Sequence, residues 1–149
     1  MTYQIGPWTI SSSPEWLDIT DTVKEDDPPF TLAKKDGVGA LQFSSSTRAS
    51  GKRPAPTSAD LAEMVREFGE TRCLGAMSDC GQTSESNRSV ASASFHADGN
   101  LIRVWYVAAL GHFLLVTYVC EWHERGGEAN EAQSIVRGIW LTGSKTGRL

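Results

Sequence analysis

Three apolar segments of strand length follow one another closely between residues 89 and 122. They run from Ser89 to His96, from Leu101 to Ala109 and from Phe113 to Trp122, and they are rich in the β-branched and aromatic residues that favour strands. The connections Ala97–Asn100 and Leu110–His112 are short and contain glycine, as hairpin turns do. This order predicts an antiparallel meander, and it constrains the fold more than any other feature of the chain.

The three strands of the predicted meander differ in polarity. The third contains the nearly unbroken apolar run FLLVTYVC, which is typical of a central strand covered on both faces. In the first, Val90 to Phe95 alternates with serine, so we expect it nearer an edge or a solvated face. Something must therefore cover the sheet on both sides.

Two amphipathic segments can provide that cover. Thr57 or Ser58 can cap a helix that ends near Gly69, and a second helix is predicted over about Glu128 to Leu141. Their apolar stripes are Leu61, Met64, Val65 and Phe68 in the first, and Ala132, Ile135, Val136, Ile139 and Trp140 in the second. The sequence therefore predicts an α+β fold, with an antiparallel sheet of about five to six strands sandwiched by two main helices.

The remaining segments are less regular. Tyr3 to Ile10 reads as one short strand, and Phe30 to Ala33 with Gly39 to Ser44 reads as a hairpin. Ser44 to Pro56 is predicted to be a mobile surface loop, because its Ser, Gly, Pro and basic residues bury little apolar surface. Glu70 to Asn87 is polar and without period, and we expect a long loop there.

Length and composition indicate one domain. The chain has 149 residues, of which 40% are hydrophobic and 21% charged, so a single core over 1–149 is expected. Within it we expect an acidic arm over 1–29 and a frayed tail over 142–149. No apolar run is long enough to span a bilayer and no signal peptide is visible, which predicts a cytoplasmic protein. The three cysteines are expected to be free thiols.

Negative charge is concentrated near the start of the chain. The first 30 residues contain six carboxylates against Lys24 alone, whereas 31–56 is basic. The candidate partner-binding acids are Asp18, Asp21, Glu25, Asp26 and Asp27. Such a surface repels nucleic acid and suits a basic protein partner. The alternative is that these carboxylates only keep a loop soluble and cap turns.

Recognisable catalytic or metal-binding motifs are missing from the sequence. Ser44 to Ser46 lacks the glycines of a nucleophile elbow, and Gly37 and Gly39 have no helix after them to cradle a phosphate. Cys73 and Cys80 lack a second pair of ligands at zinc-site spacing. We therefore expect no catalytic residue, no cofactor and no metal.

Two titratable side chains outside such motifs admit a chemical role. His123 between Glu121 and Glu124 fits either an acid/base pair or a solvated strand end. Cys120, inside the apolar run, is interpreted as a small buried hydrophobic residue.

Aromatic residues provide a second set of interface candidates. Trp105 and Tyr106 are adjacent in a predicted strand, so they point to opposite faces, as core residues or as interface anchors. Trp8 and Trp16 either hold the acidic segment onto the domain or form half of a binding patch. Trp16, Trp105 and Tyr106 therefore join the five acids as candidate partner-binding residues.

Several segments together resemble a known group of proteins. PPFTLAKKDGVGALQFS, a capped helix, IRVWYV, LLVTYVC and a Glu-rich last helix resemble small bacterial proteins with a PsbP- or DcrB-like fold, over about 28–141. Such proteins include immunity proteins and chaperones of secreted polymorphic toxins, as in type VI secretion. The resemblance implies an immunity protein that binds a cognate toxin and occludes its active site. It further implies a monomer when free, and binding to protein rather than to nucleic acid, membrane or metal.

Two other functions stay open at this stage. An effector-associated chaperone or adaptor would hold an apolar segment, and a salt-insensitive complex through Trp105 or Tyr106 would favour it. A small-ligand-binding domain or enzyme would use the 44–56 and 70–88 loops. A deep pocket that contains His96 or His123 would favour that function.

Overall fold

The computed structural model describes residues 1–47, 56–85 and 87–142, which form ten strands, two α-helices and two short 3₁₀ helices (Thr20–Thr22 and Trp122–Glu124). In chain order the strands and α-helices are β1 (Thr2–Ile5), β2 (Trp8–Ser11), β3 (Trp16–Asp18), β4 (Phe30–Lys34), β5 (Gly39–Thr47), α1 (Ser58–Thr71), β6 (Ser78–Glu85), β7 (Arg88–Ala97), β8 (Asn100–Ala109), β9 (His112–Glu121), α2 (Gly127–Arg137) and β10 (Trp140–Leu141). Neither α-helix is long and apolar enough to cross a membrane.

The strands form two antiparallel sheets. Seven of them make the main sheet in the order β3-β4-β5-β9-β8-β7-β6, and β1, β2 and β10 make a small sheet with β2 in the middle. Helix α1 packs on β6, β7 and β8, on what we call the α1 face of the main sheet. Helix α2 and the small sheet cover the opposite face, called the α2 face.

Each face of the main sheet has its own hydrophobic cluster. On the α1 face the largest buried residues are Leu61, Phe68, Phe95 and Phe113. On the α2 face they include Trp8, Trp16, Phe43, Trp105, Leu114 and Tyr118. The predicted α+β sandwich is therefore confirmed, and so is the meander, as β7, β8 and β9.

Several segments differ from their prediction because they pair with strands that are distant in the sequence. Residues 78–85, expected to lie in a loop, form β6, because β7 satisfies their backbone groups although no side-chain period marks them as a strand. Tyr3 to Ile10 forms two strands, which turn at Gly6 with a φ of +54°. The main sheet thus has seven strands instead of five or six.

The helix boundaries also differ from those predicted. Thr57 caps α1 with a full capping box to Asp60, but the helix continues past Gly69 to Thr71. Helix α2 ends at Arg137, and only Gly138 and Ile139 separate it from β10, because Trp140 and Leu141 pair with β2. The end of the predicted helix is therefore a strand.

The first 29 residues are part of both sheets rather than an arm. β1 and β2 form most of the small sheet, β3 is an edge of the main one, and Trp8 and Trp16 are fully buried. Of the predicted surface loop, Ser44 to Thr47 continues β5, whereas 48–55 lies outside the described residues. The predicted frayed tail also lies outside them, except Thr142.

Candidate protein-binding surfaces

The acidic residues of the N-terminal segment lie along one edge of the main sheet, which we call the acidic edge: Asp18, Asp21, Glu25, Asp26 and Asp27. Its start is fixed to the sheet. The Asp18 carboxylate accepts hydrogen bonds from the backbone N–H and the hydroxyl of Thr20, at 3.0 and 2.6 Å. The backbone of Ile19 and the Thr20 hydroxyl then bond to Thr31 of β4, at 2.9 and 3.0 Å. The backbone from Asp18 to Thr20 is therefore anchored to β4.

All five carboxylates of the acidic edge are exposed, and none of them forms an ion pair within the described ranges. Glu15, just before the edge, differs, because it pairs with Lys34 at 3.4 Å. Lys34 also pairs with Glu131 of α2 at 3.0 Å. The negative charge of the edge is therefore not neutralised by the basic residues that lie near it in the described structure, which leaves it available to a basic partner.

Beside the acidic edge, part of the α1 face has no α-helix over it among the described residues. We call this region the open half; it consists of Leu17, Ala33, Ala40, Gln42, Thr117 and Val119. Leu17 and Val119 are 44% and 38% exposed, and the other four are half-buried. All six side chains are uncharged, whereas a solvated sheet face usually carries polar and charged residues. The open half therefore resembles an interface more than an ordinary surface.

Two of the predicted partner-binding aromatics are core residues, which corrects that prediction. Trp16 is 1% and Trp105 0% exposed, both on the α2 face. The Trp105 indole donates to the Gln133 side chain of α2 at 3.0 Å, which satisfies its polar atom inside the core. Tyr106 points the other way and stays half-buried at the margin of α1. Burial raises the pKa of its hydroxyl, partly offset by nearby Arg72.

The strand below the open half is fixed to α2 by one carboxylate. Glu128, in the first turn of α2, accepts hydrogen bonds from the Tyr118 hydroxyl at 2.9 Å and from the backbone N–H groups of Val38 and Gly39, at 3.1 and 3.0 Å. Burial, and secondly the bond to Glu128, raise the pKa of Tyr118 far above its ordinary value. Burial likewise raises the pKa of the neighbouring Cys120 thiol. The Tyr118 hydroxyl and the Cys120 thiol therefore stay protonated at neutral pH.

The histidines considered for acid/base chemistry do not share a pocket. His96 stacks on Trp122 with ring centroids 3.7 Å apart, and Arg125 lies 3.8 Å from the same ring. His123 is exposed beside Glu121 and Glu124. A cleft of about 280 Å³, which includes space open to solvent, lies elsewhere, between Trp8, Arg88 and Trp140. No group of three potential metal ligands occurs in the part of the chain that the structure describes.

Sequence reasoning identified the acidic edge but missed the open half. The acidic residues are close together in the sequence, whereas the open half combines six residues from four strands. A signal did exist, because Leu17 stands next to the buried Trp16 in a strand and must face the other side. It could not be interpreted without knowing that α1 stops over β8.

The fold is similar to that of proteins with known structures. The solution structure of cyanobacterial PsbP, CyanoP, from Synechocystis sp. PCC 6803 superposes with a TM-score of 0.66 at 7% identity, over 95% of this chain and 91% of that one. A crystal structure from Bacteroides thetaiotaomicron gives 0.58 at 11% identity, over 91% of this chain. This chain spans only 45% of the length of that protein. No protein-family model and no curated protein matches the sequence. At such identities the likeness concerns the fold alone, and the chain has a PsbP-like fold.

Proposed function

We propose that this protein is an immunity protein, which binds a cognate secreted bacterial toxin and neutralises it by occluding the toxin's active site. The observation that carries the proposal is the acidic edge, whose five carboxylates are exposed and form no ion pair within the described ranges, and whose start at Asp18 and Thr20 is anchored to the sheet. The PsbP-like fold is compatible with it but says nothing about the partner.

Electrostatics explain why such an edge suits this function. A toxin that acts on an anionic substrate has a basic active-site cleft, and a fixed row of carboxylates can occupy that cleft in place of the substrate. Complementary charge also raises the association rate constant, by about 10- to 1,000-fold over a neutral pair at low salt. Rapid capture matters for an inhibitor because an unbound toxin damages the cell that makes it.

Co-purification of the protein with the product of the gene immediately upstream tests the proposal, at low and at high salt. The informative variant is Asp26→Asn with Asp27→Asn, because Asn tolerates the left-handed backbone of residue 27, where φ is +53°. The matched control is Asp36→Asn with Asp98→Asn, which removes the same charge from exposed turns away from the acidic edge.

We expect the edge variant to associate about tenfold more slowly than the control at low salt, with a smaller difference at high salt. Failure of the wild-type protein to bind or inhibit the upstream product at either salt concentration would contradict an immunity function. Equal association rates for the two variants would place the interface away from the acidic edge.

The open half favours a second candidate, an effector-associated chaperone or adaptor that holds an apolar segment. In that case association would be insensitive to salt, and Val119→Asp would weaken it while the edge variant would not. The same co-purification with this third variant separates the two functions, because each predicts a different variant to fail.

A further inference from the structure

The second edge of the main sheet, β6, is long and exposed. It has eight residues, all of them exposed, and pairs only with β7 among the described strands. Edge strands of this length are usually protected by proline, by charge or by a covering element, because they present unpaired backbone groups to other chains. The β3 edge, in contrast, has three residues and ends in the acidic edge. A bulge between Ser78 and Gly81 leaves Gly81–Glu85 as the regular part of β6.

A half-buried arginine lies next to this exposed strand. The Arg103 guanidinium donates to the Ser92 and Ser94 hydroxyls at 2.9 and 3.0 Å, and to the Asp79 carbonyl at 2.6 Å. A guanidinium has five N–H groups, so two have no partner within the described ranges. Arg103 also forms no ion pair there, although the Asp79 carboxylate is near. Its guanidinium carbon lies 5.5 Å from the centre of the Trp105 ring, and burial lowers its pKa despite nearby Asp79.

The path from the β6 edge to this guanidinium is open because residue 81 is glycine. Gly81 pairs with Ser92, and a Cβ on it would lie 3.2 Å from the Ser92 hydroxyl that Arg103 binds. Its φ is outside the left-handed region, so the backbone does not require glycine here. Any other side chain would occupy the space between the edge and Arg103.

We propose that β6 accepts an extended segment of a partner protein as an eighth strand, and that Arg103 binds an acidic side chain of that segment across Gly81. The added strand would lie about 5 Å beyond β6, within reach of a Glu side chain that passes over the glycine. Backbone pairing would supply sequence-independent affinity, and the carboxylate would fix the register. This surface is distinct from the acidic edge and does not depend on the function proposed above.

A second copy of the chain fits this site less well than an acidic segment. If two β6 strands paired antiparallel over their full length, Gly81 would face Gln82 of the other copy, which carries no charge for Arg103. If they paired over the regular part alone, Gly81 would face Glu85, whose carboxylate already pairs with Arg88 of its own chain at 3.2 Å. The two N–H groups of Arg103 without a described partner therefore favour a different protein, with an unengaged carboxylate at that position.

The test uses seven-residue blocked peptides of alternating Thr and Val, in which a single Glu is moved through every position, and the same series with Gln. Binding is followed by NMR chemical shifts of the labelled full-length protein. We expect one Glu position to bind about tenfold more tightly than its Gln counterpart, with shifts at Gly81–Glu85. Arg103→Gln should remove that preference, Arg103→Lys should retain part of it, and Gly81→Val should weaken binding of every peptide.

Gly81→Ser serves as a milder variant if Gly81→Val does not fold, and urea unfolding checks each protein. The proposal is overturned if no peptide shifts the β6 resonances, or if Glu and Gln peptides bind equally. It is also overturned if light scattering shows a dimer that Gly81→Val disrupts, because β6 would then be a contact between copies.

Discussion

The α1 face of the main sheet has two halves that differ in cover. Over β7 and β8, α1 buries Ala93, Phe95 and Val104 almost completely. Over β3, β4, β5 and part of β9, no described α-helix lies on the sheet, and Leu17 and Val119 stay well exposed. Both halves are largely uncharged, so polarity alone does not distinguish a packed surface from an exposed one.

This difference indicates which side chains can be substituted in a test of partner binding without lowering the stability of the fold. Residues under α1 contribute to folding, and substitution there is expected to lower the free energy of unfolding. Leu17 and Val119 of the open half are well exposed, so their apolar character requires another reason, which a partner would supply. The following predictions test this contrast.

The largest effect is expected from Phe95→Ala, in the covered half. The ring is 1% exposed, and its loss leaves a cavity between β7 and α1, so the free energy of unfolding should fall by about 3–5 kcal/mol. Urea unfolding measures it, with Val119→Ala as the matched truncation in the open half. Comparable losses in the two variants would contradict the distinction between the halves.

A smaller loss in the free energy of unfolding is expected at Gly69, where α1 lies against the Phe95 ring. A Cβ on Gly69 would lie 2.6 Å from the Phe95 Cζ atom, so Gly69→Ala should overpack the interface. The net cost is about 1–2 kcal/mol in urea unfolding, because alanine's better helix propensity offsets part of the strain.

The control for this substitution is Gly127→Ala, at the start of α2, where the added methyl group meets open space and should stabilise slightly. Phe95→Leu in the Gly69→Ala background should recover part of the loss. If Gly69→Ala stabilised the protein as Gly127→Ala does, the close approach would not exist.

Tyr118→Phe tests the anchor below the open half and should cost about 1 kcal/mol, the usual value of one hydrogen bond. Because folding raises the Tyr118 pKa, the folded state holds this proton more tightly than the unfolded state. The stabilisation is therefore complete below about pH 10, the ordinary tyrosine value, and falls as the pH rises above it. Unfolding measured from pH 7 to 11 should show the wild-type protein losing its advantage over Tyr118→Phe above pH 10, and a constant difference would refute the assignment.

The smallest effect is expected in the open half itself. Val119→Thr keeps the shape of a side chain that is 38% exposed, so the free energy of unfolding should change by less than about 0.5 kcal/mol. Leu17→Ser should behave in the same way in urea unfolding. A loss above about 1.5 kcal/mol for either would show that this half is covered in solution.

Much of the fold could be predicted because it depends on residue patterns that extend over only a few positions of the chain. The meander, the β4–β5 hairpin and the stripe of α1 each depend on residues a few positions apart, which hydrophobic periodicity reports. β6 and β10 could not be predicted in this way, because their polar or short sequences become strands only by pairing with β7 and β2. The acidic edge was visible for the same reason as the meander, since its charges are neighbours in the chain.

The sequence by itself determined the fold class, the two helices and the negative charge near the start of the chain. The tertiary structure decided which aromatics are buried, where α1 stops, and that Arg103, Ser92 and Gly81 meet beside an exposed edge. The physical reason is range. Hydrophobic periodicity and runs of charge are visible among residues close in sequence. Which sheet faces are covered and which strands lie at an edge depends instead on which strands pair and on where each helix lies over the sheet.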